Sequence, residues 1–206
     1  MIVTLSREYG AGGLAVADGV ARELGYELMT DDLPAVLAAR LGTSTEEIAA
    51  RVDSNAPISE RMLSDLGAAT PEAVSSGSPR SGAEFDEDVR REIETAIRER
   101  ASAGDVVIMG RFGSALLAGF PGLLRVFLTA RRSSRIAHLI ETFHFSESEA
   151  VREMERMDVT RRRIAKERYN FGWGDPRSYD LIVDSSRFGV DGSVAIIIAA
   201  ARAAGA

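Results

Sequence analysis

Three glycines within four residues, Gly10, Gly12 and Gly13, lie between a short apolar run, Ile2 to Leu5, and an amphipathic stretch that ends at Gly25. Glycine takes positive φ without steric cost, so successive backbone N–H groups in such a turn can face an anion. A helix starting after the turn aims its N-terminus at the same anion. Strand, glycine-rich turn and helix in that order form a phosphate-binding layout. The same residues also suit a tight strand-to-helix turn with no ligand. Set against G-x-x-x-x-G-K-[ST], Arg7 stands at the first glycine, Gly13 at the lysine and Leu14 at the hydroxyl residue. The missing lysine would touch the β- and γ-phosphates of a nucleotide, and the missing hydroxyl would hold Mg²⁺. Cradle geometry therefore survives better than catalytic charge.

Replacement charge must come from arginine, because Lys166 is the only lysine in the chain. Arginine stays protonated and grips phosphate through a planar fork. The candidates are Arg7, Arg111, Arg131, Arg132, Arg135 and the run Arg161, Arg162, Arg163. Arg111 directly follows an apolar run, whereas the triple arginine also suits a solvated helix face. Asp31, Asp32 and Asp184 are carboxylates near expected strand ends, available to Mg²⁺ through water, and spacing does not choose among them. His138 and His144 fit packing or surface roles. Trp173 is expected to pack near the last strand, with base stacking as the alternative.

The elements that must position these residues alternate. Apolar runs at 1–6, 105–110 (DVVIMG), 123–130 (LLRVFLTA) and 179–186 (YDLIVDSS) read as strands, and 25–32 as a short further one. Helices are expected at 12–24, with Leu14, Val16, Val20, Ala21 and Leu24 inward, and over EFDEDVRREIETAIRERASAG, stopped by Gly104. Further helices are expected at the start of RFGSALLAG, over RRSSRIAHLIETF, and over SESEAVREMERMDVTRRRIAKERYNF. A last one covers GSVAIIIAAARAA. From Asp32 to Ala73 the pattern is helical but broken, with a capping-box spacing at Ser44 and Glu47. SSGSPRSG (75–82) reads as a loop. The expected fold is α/β: a three-layer parallel sheet flanked by helices, in one domain over 1–206. Residues 32–100 would form a helical insertion at the carboxyl ends of the strands, where ligands bind in such sheets.

Composition bounds the rest. The chain has 206 residues, 45% apolar content, no cysteine and a formal net charge of −6. Disulfides and thiolate metal sites are excluded. The acidic balance argues against nucleic acid as a partner. No apolar run suits a membrane span, and no secretion signal is visible, so a cytoplasmic protein is expected. VAIIIAAARAA reads as a core or dimer helix, which leaves a homo-oligomer open.

The motifs together resemble the cytidylate kinase-like family of P-loop proteins. SREYGAGG is similar to that family's opening, VVIMGR (106–111) to its apolar strand ending in Gly-Arg, and LRVFLTA to its next strand. Asp158 and Arg161 fit a D-x-x-R pattern, and WGDPRSYDLIVDSS (173–186) resembles the family's ending. The matches keep their order over the whole length. The resemblance implies a P-loop NTPase fold of the nucleoside-monophosphate-kinase type, with a helical lid at about 131–175. It implies ATP as donor, Mg²⁺ as its companion, and a nucleotide and small-molecule acceptor as partners. Donor phosphates would lie on Arg7, Gly10, Ala11, Gly12, Gly13 and Leu14, and the acceptor on Arg111 with Asp31 and Asp32. Arg131, Arg135, Arg161 and Arg162 would be catalytic lid cations, a role worth about 10³–10⁵ in rate where arginines act as fingers. This chain departs from the family where Leu14 replaces a common arginine, and where Met29 and Thr30 replace tyrosine-aspartate. Two functions stay open: a small-molecule phosphotransferase, or a nucleotide-binding protein that has lost catalysis and acts as sensor or partner subunit.

Overall fold

The computed structural model describes residues 1–30 and 82–205. The expected helices of 32–73, the Ser44–Glu47 box, nearly all of the 75–82 loop, Asp31 and Asp32 lie outside the described residues. The chain divides into two compact units, Met1–Asp31 with Ile97–Ala206, and Asp32–Ala96.

The first unit is built on five parallel strands: β1 (Ile2–Arg7), β2 (Glu27–Met29), β3 (Val106–Met109), β4 (Leu123–Thr129) and β5 (Leu181–Asp184). Their spatial order is β2-β3-β1-β4-β5. Leu5 pairs with Met109 on one side and Val126 on the other, so β1 is central. β1 and β3 are buried along nearly their whole length, which is why they read as continuous apolar runs rather than alternating ones. The helices are α1 (Gly13–Leu24), α2 (Gly82–Ala103), α3 (Gly113–Leu116), α4 (Arg132–Phe143), α5 (Glu147–Tyr169) and α6 (Ser185–Ala203).

Strand alternation sends Val3 and Leu5 to one face, into a core with Val16 and Val20 of α1 and Val194, Ile197 and Ile198 of α6. The VAIIIAAARAA segment is therefore core. α1 and α6 approach closely at Gly19, where a Cβ would lie 2.6 Å from Val194 Cγ2. Thr4 and Ser6 face the other way, and their hydroxyls meet Ser114 Oγ of α3 at 2.9 and 3.2 Å. These buried hydroxyls satisfy one another.

Leu14 departs from its expected inward position and is 59% exposed. α1 buries Gly13, Val16, Ala17, Val20 and Ala21, whereas Leu14 shares its stripe with Asp18 and Arg22, both exposed. α5 starts with a capping box that the sequence reading passed over: Ser146 Oγ accepts from Glu149 N at 3.4 Å and Glu149 Oε2 accepts from Ser146 N at 2.8 Å. β5 stops at Asp184 because that carboxylate caps α6, accepting from Ser186 N at 2.9 Å, Ser186 Oγ at 2.5 Å and Arg187 N at 3.3 Å. α6 is interrupted at Gly189, with φ 67° and ψ −175°, so its long straight part follows that residue.

Donation from the Ser186 hydroxyl holds the Asp184 carboxyl below its ordinary range, with the two amides adding to it. A depressed pKa contributes stability above the unfolded value and loses it as pH falls through the folded one. Asp184→Ala should therefore cost about 1 kcal/mol near neutral pH. Urea melts of wild type and variant should converge as pH is lowered through the carboxylate range.

Candidate functional site

The turn between β1 and α1 carries two left-handed glycines, Gly10 at φ 84° and Gly12 at φ 72°. They serve different ends. A Cβ on Gly10 would lie 2.9 Å from the Arg135 carbonyl oxygen and 3.1 Å from Leu139 Cγ, so this glycine lets α4 touch the loop. A Cβ on Gly12 would meet nothing within 4 Å. Gly12 is also the N-cap of α1 and gives it no side-chain cap. The first-turn amides have no carbonyl of their own helix to bond.

The far side of the loop is pinned by α4 and α5. Asp158 Oδ1 accepts from Tyr9 N at 2.9 Å. Arg135 Nε donates to the Tyr9 carbonyl at 2.7 Å, its Nη2 pairs with Asp158 Oδ2, and its Nη1 lies 3.4 Å from Glu8 Oε1. Glu8 Oε2 in turn accepts from Thr129 Oγ1 at 2.7 Å and Ala130 N at 3.0 Å, which ties the loop to the end of β4. Arg161 Nη1 donates to the Arg7 carbonyl at 3.1 Å. The Tyr9 ring lies under the Arg161 guanidinium, 5.5 Å from its centroid, and packs against Ile136, Leu139 and Met154. Burial raises the Tyr9 hydroxyl above its ordinary pKa, helped by Glu153 and opposed by Arg161, Arg156 and Arg7.

Several arginines expected to act on the transferred group are thus occupied elsewhere. Arg135 and Arg161 are buried and hold loop backbone. Arg162 lies over Trp173, 5.7 Å from its ring centroid. Arg132 pairs with Glu155 at 3.1 Å, and Arg163 is exposed. Arg131 is exposed at the head of α4, where its amide donates to Ser186 Oγ at 3.1 Å. Trp173 is buried edge-on against Phe127 at 5.2 Å, the packing role expected of it. His138 is half-buried and His144 is the exposed C-cap of α4. Asp184 is the helix cap described above. Among the described residues no group of three or more His, Asp or Glu side chains is placed to hold a metal ion.

The sequence reading missed Glu8 and Tyr9, and it noted Asp158 only as half of a motif. The signal was there: an acid and an aromatic directly before the first glycine have no solvent role in such a tight turn. Asp158 and Arg161, three apart, share one helix face.

The end of β3 closes the other side. Gly110, Arg111 and Phe112 are all left-handed, at φ 75°, 49° and 54°. Each non-glycine there costs about 1–2 kcal/mol, and such strain clusters at functional sites. Gly110 N donates to Leu5 O at 3.0 Å, so Arg111 emerges beside the glycine loop. Arg7 crosses this space. A Cβ on Gly13 would lie 2.8 Å from Arg7 Cγ, and a Cβ on Gly110 would overlap Arg7 Nη1.

Removing Arg135 would leave the Glu8 and Asp158 carboxylates without their shared cation in a buried setting. Arg135→Ala should destabilise the protein by about 3–5 kcal/mol in urea unfolding. Arg132→Ala, at an exposed pair, should stay within about 0.5–1 kcal/mol of wild type.

Residues 2–187 match the cytidylate kinase-like family. The cytidylate kinase of Methanothrix thermoacetophila is 26% identical over 204 residues, spanning 98% of this chain and 99% of its own. A solved structure of an uncharacterized protein from Eubacterium ventriosum superposes with a TM-score of 0.67 at 20% identity, covering 98% of both chains. The shikimate kinase of Bacteroides thetaiotaomicron superposes at 0.56 with 14% identity, again over 98% of both chains. These two likenesses concern the fold alone. With the order of its motifs, its strand order and a match over nearly its whole length, the chain belongs to the cytidylate kinase-like family.

Proposed function

We propose that this chain is an ATP-dependent phosphotransferase acting on a nucleoside monophosphate or a related small phosphorylated molecule. The observation that carries the reading is the open side of Gly12 at the uncapped N-terminus of α1, in a loop that the Arg7 side chain links to the β3 end, just before Arg111. The name of the matched relatives makes cytidylate the first acceptor to test.

In the transfer, an oxygen of the acceptor's phosphate attacks the γ-phosphorus of ATP. The bond from that phosphorus to the β–γ bridging oxygen breaks, and ADP leaves with the electron pair. The attacking oxygen is already anionic, so no general base is required. The protein's share is positioning and charge stabilisation. Amides at 12–14 would hold the donor phosphates, and Arg111 the acceptor phosphate. Ser185 Oγ donates to Ala11 O at 2.9 Å, and Glu8, Arg135 and Asp158 fix the rest of the loop. Arg131, exposed at the N-cap of α4 with its amide on Ser186, would be a further cation for the donor. Magnesium would arrive with ATP and neutralise charge on its phosphates. The loop fits the phosphates better than the metal, because Leu14 puts no oxygen where the hydroxyl would be.

That last feature favours a second reading: a nucleotide-binding protein without turnover, acting as sensor or partner subunit. Leu14, 59% exposed, and Gly13 remove two groups that usually serve catalysis. Thermal melts with and without Mg-ATP, followed by ADP release across the nucleoside monophosphates, separate the two. Binding raises Tm by mass action. We expect a shift, turnover with cytidylate, and an Arg111→Ala variant that keeps the ATP shift but loses turnover or raises the acceptor KM. A shift without turnover on any monophosphate selects the second reading, and no shift overturns both.

A further inference from the structure

We infer that Arg7 supplies the phosphate-binding cation that position 13 lacks: its side chain runs from the end of β1 across Gly13 and delivers its guanidinium to Gly110. This rests on the phosphate-binding role proposed for the loop.

Two of the loop's three departures from G-x-x-x-x-G-K-[ST], those at 7 and 13, then have one cause. Arg7 Cγ, Cδ and Cβ lie 2.8, 3.2 and 3.3 Å from where a Cβ on Gly13 would stand. The Arg7 Cβ is set by a strand residue that pairs with Leu128 of β4, and Cγ and Cδ would clear a side chain at 13 only by leaving this rotamer. A side chain at 13 and Arg7 in this rotamer therefore exclude each other. Gly13 is not among the positive-φ glycines, so its backbone conformation is open to any residue. Glycine is also a poor helix former. Room for the Arg7 stem is what remains to explain it.

The other end of the side chain meets the same accommodation. A Cβ on Gly110 would collide with Arg7 Nη1 and stand 3.4 Å from Cζ. The guanidinium thus lies at the β3 end, next to the residue whose neighbour is Arg111. Arg111 is the next residue along the chain from Gly110, so the Arg7 guanidinium lies beside the backbone from which Arg111 leaves. A donor phosphate held by the loop amides and an acceptor phosphate held by Arg111 would have the Arg7 fork beside them. Arg161, whose Nη1 donates to the Arg7 carbonyl at 3.1 Å, is then a positioning residue that fixes the backbone from which Arg7 springs.

The test moves the charge from one end of the loop to the other. Arg7→Gln keeps the first side-chain carbons and drops the charge; its Kd for ATP by calorimetry should rise roughly 10- to 100-fold while the protein stays folded. Gly13→Lys alone should lower Tm and fail to improve binding. Arg7→Ala with Gly13→Lys should recover much of the ATP affinity that Arg7→Ala alone loses. Without any ligand, Gly13→Ala should lower Tm in wild type and not in an Arg7→Ala background. Wild-type ATP affinity in a folded Arg7→Gln protein overturns the inference while leaving the proposed function standing. Wild type that binds no ATP at all overturns the proposed function, and this inference with it. Equal effects of Gly13→Ala in the two backgrounds remove the steric link on which the inference is built.

Discussion

Arg135, held between Glu8 and Asp158, is the interaction on which the site depends. One buried cation meets two carboxylates from opposite ends of the sequence, and each carboxylate is also tied to backbone: Asp158 to the Tyr9 amide, Glu8 to the Ala130 amide. Desolvating three charges is expensive, and such clusters often add little net stability. Their contribution here is positional. A turn rich in glycine has many conformations to lose. With Tyr9 donating its amide to Asp158 and lending its carbonyl to Arg135, the residue before Gly10 is fixed through both of its flanking peptide groups.

That arrangement has a consequence for charge. Arg135 and Arg161 shape the loop, each through a hydrogen bond to a backbone carbonyl. The charge proposed for the phosphates comes instead from residues on the sheet side. Arg7 and Arg111 both emerge from strand ends. The end of β1 is a stiff place, because the backbone of Arg7 is still paired with Leu128 of β4. The arginine side chain with its guanidinium reaches about one bond further than that of lysine, and it spans from β1 to the end of β3, where a lysine on α1 would reach out from the helix.

Much of this was legible before any coordinates. Buried parallel strands are continuous apolar runs, so the three core strands could be read from hydropathy and length. The glycine spacing located the turn, and Gly104, following the long helix, marked its end. The placement of Leu14 was not legible by eye, because near a helix start the apolar stripe is too short to set the inward direction; Asp18 and Arg22 four and eight residues on give it in retrospect. The roles of Arg135, Arg161 and Asp158 were illegible for a different reason. A charged residue on a helix shows neither its face nor its partner, and these partners lie more than a hundred residues away. The exchange at positions 7 and 13 was visible only as two losses. That they belong together follows from the path of one side chain, which spacing does not encode.

α5 connects both sides of the site. Asp158 and Arg161 bond the backbone of Tyr9 and Arg7 on the loop side. Two turns later Tyr169 stacks on Phe112 at 5.4 Å, the last of the three left-handed residues after β3. Between them, Ala165 packs with Phe127 and Trp173 over β4. A strained turn persists only where its surroundings over-determine it. The Gly110–Phe112 turn has the Leu5 carbonyl on one side and the Tyr169 ring on the other. Any displacement of α5 against the sheet would therefore break contacts at the loop and at the β3 end together. The two groups proposed for donor and acceptor, Arg7 and Arg111, share that single support, so their separation is set by one helix rather than by two independent loops.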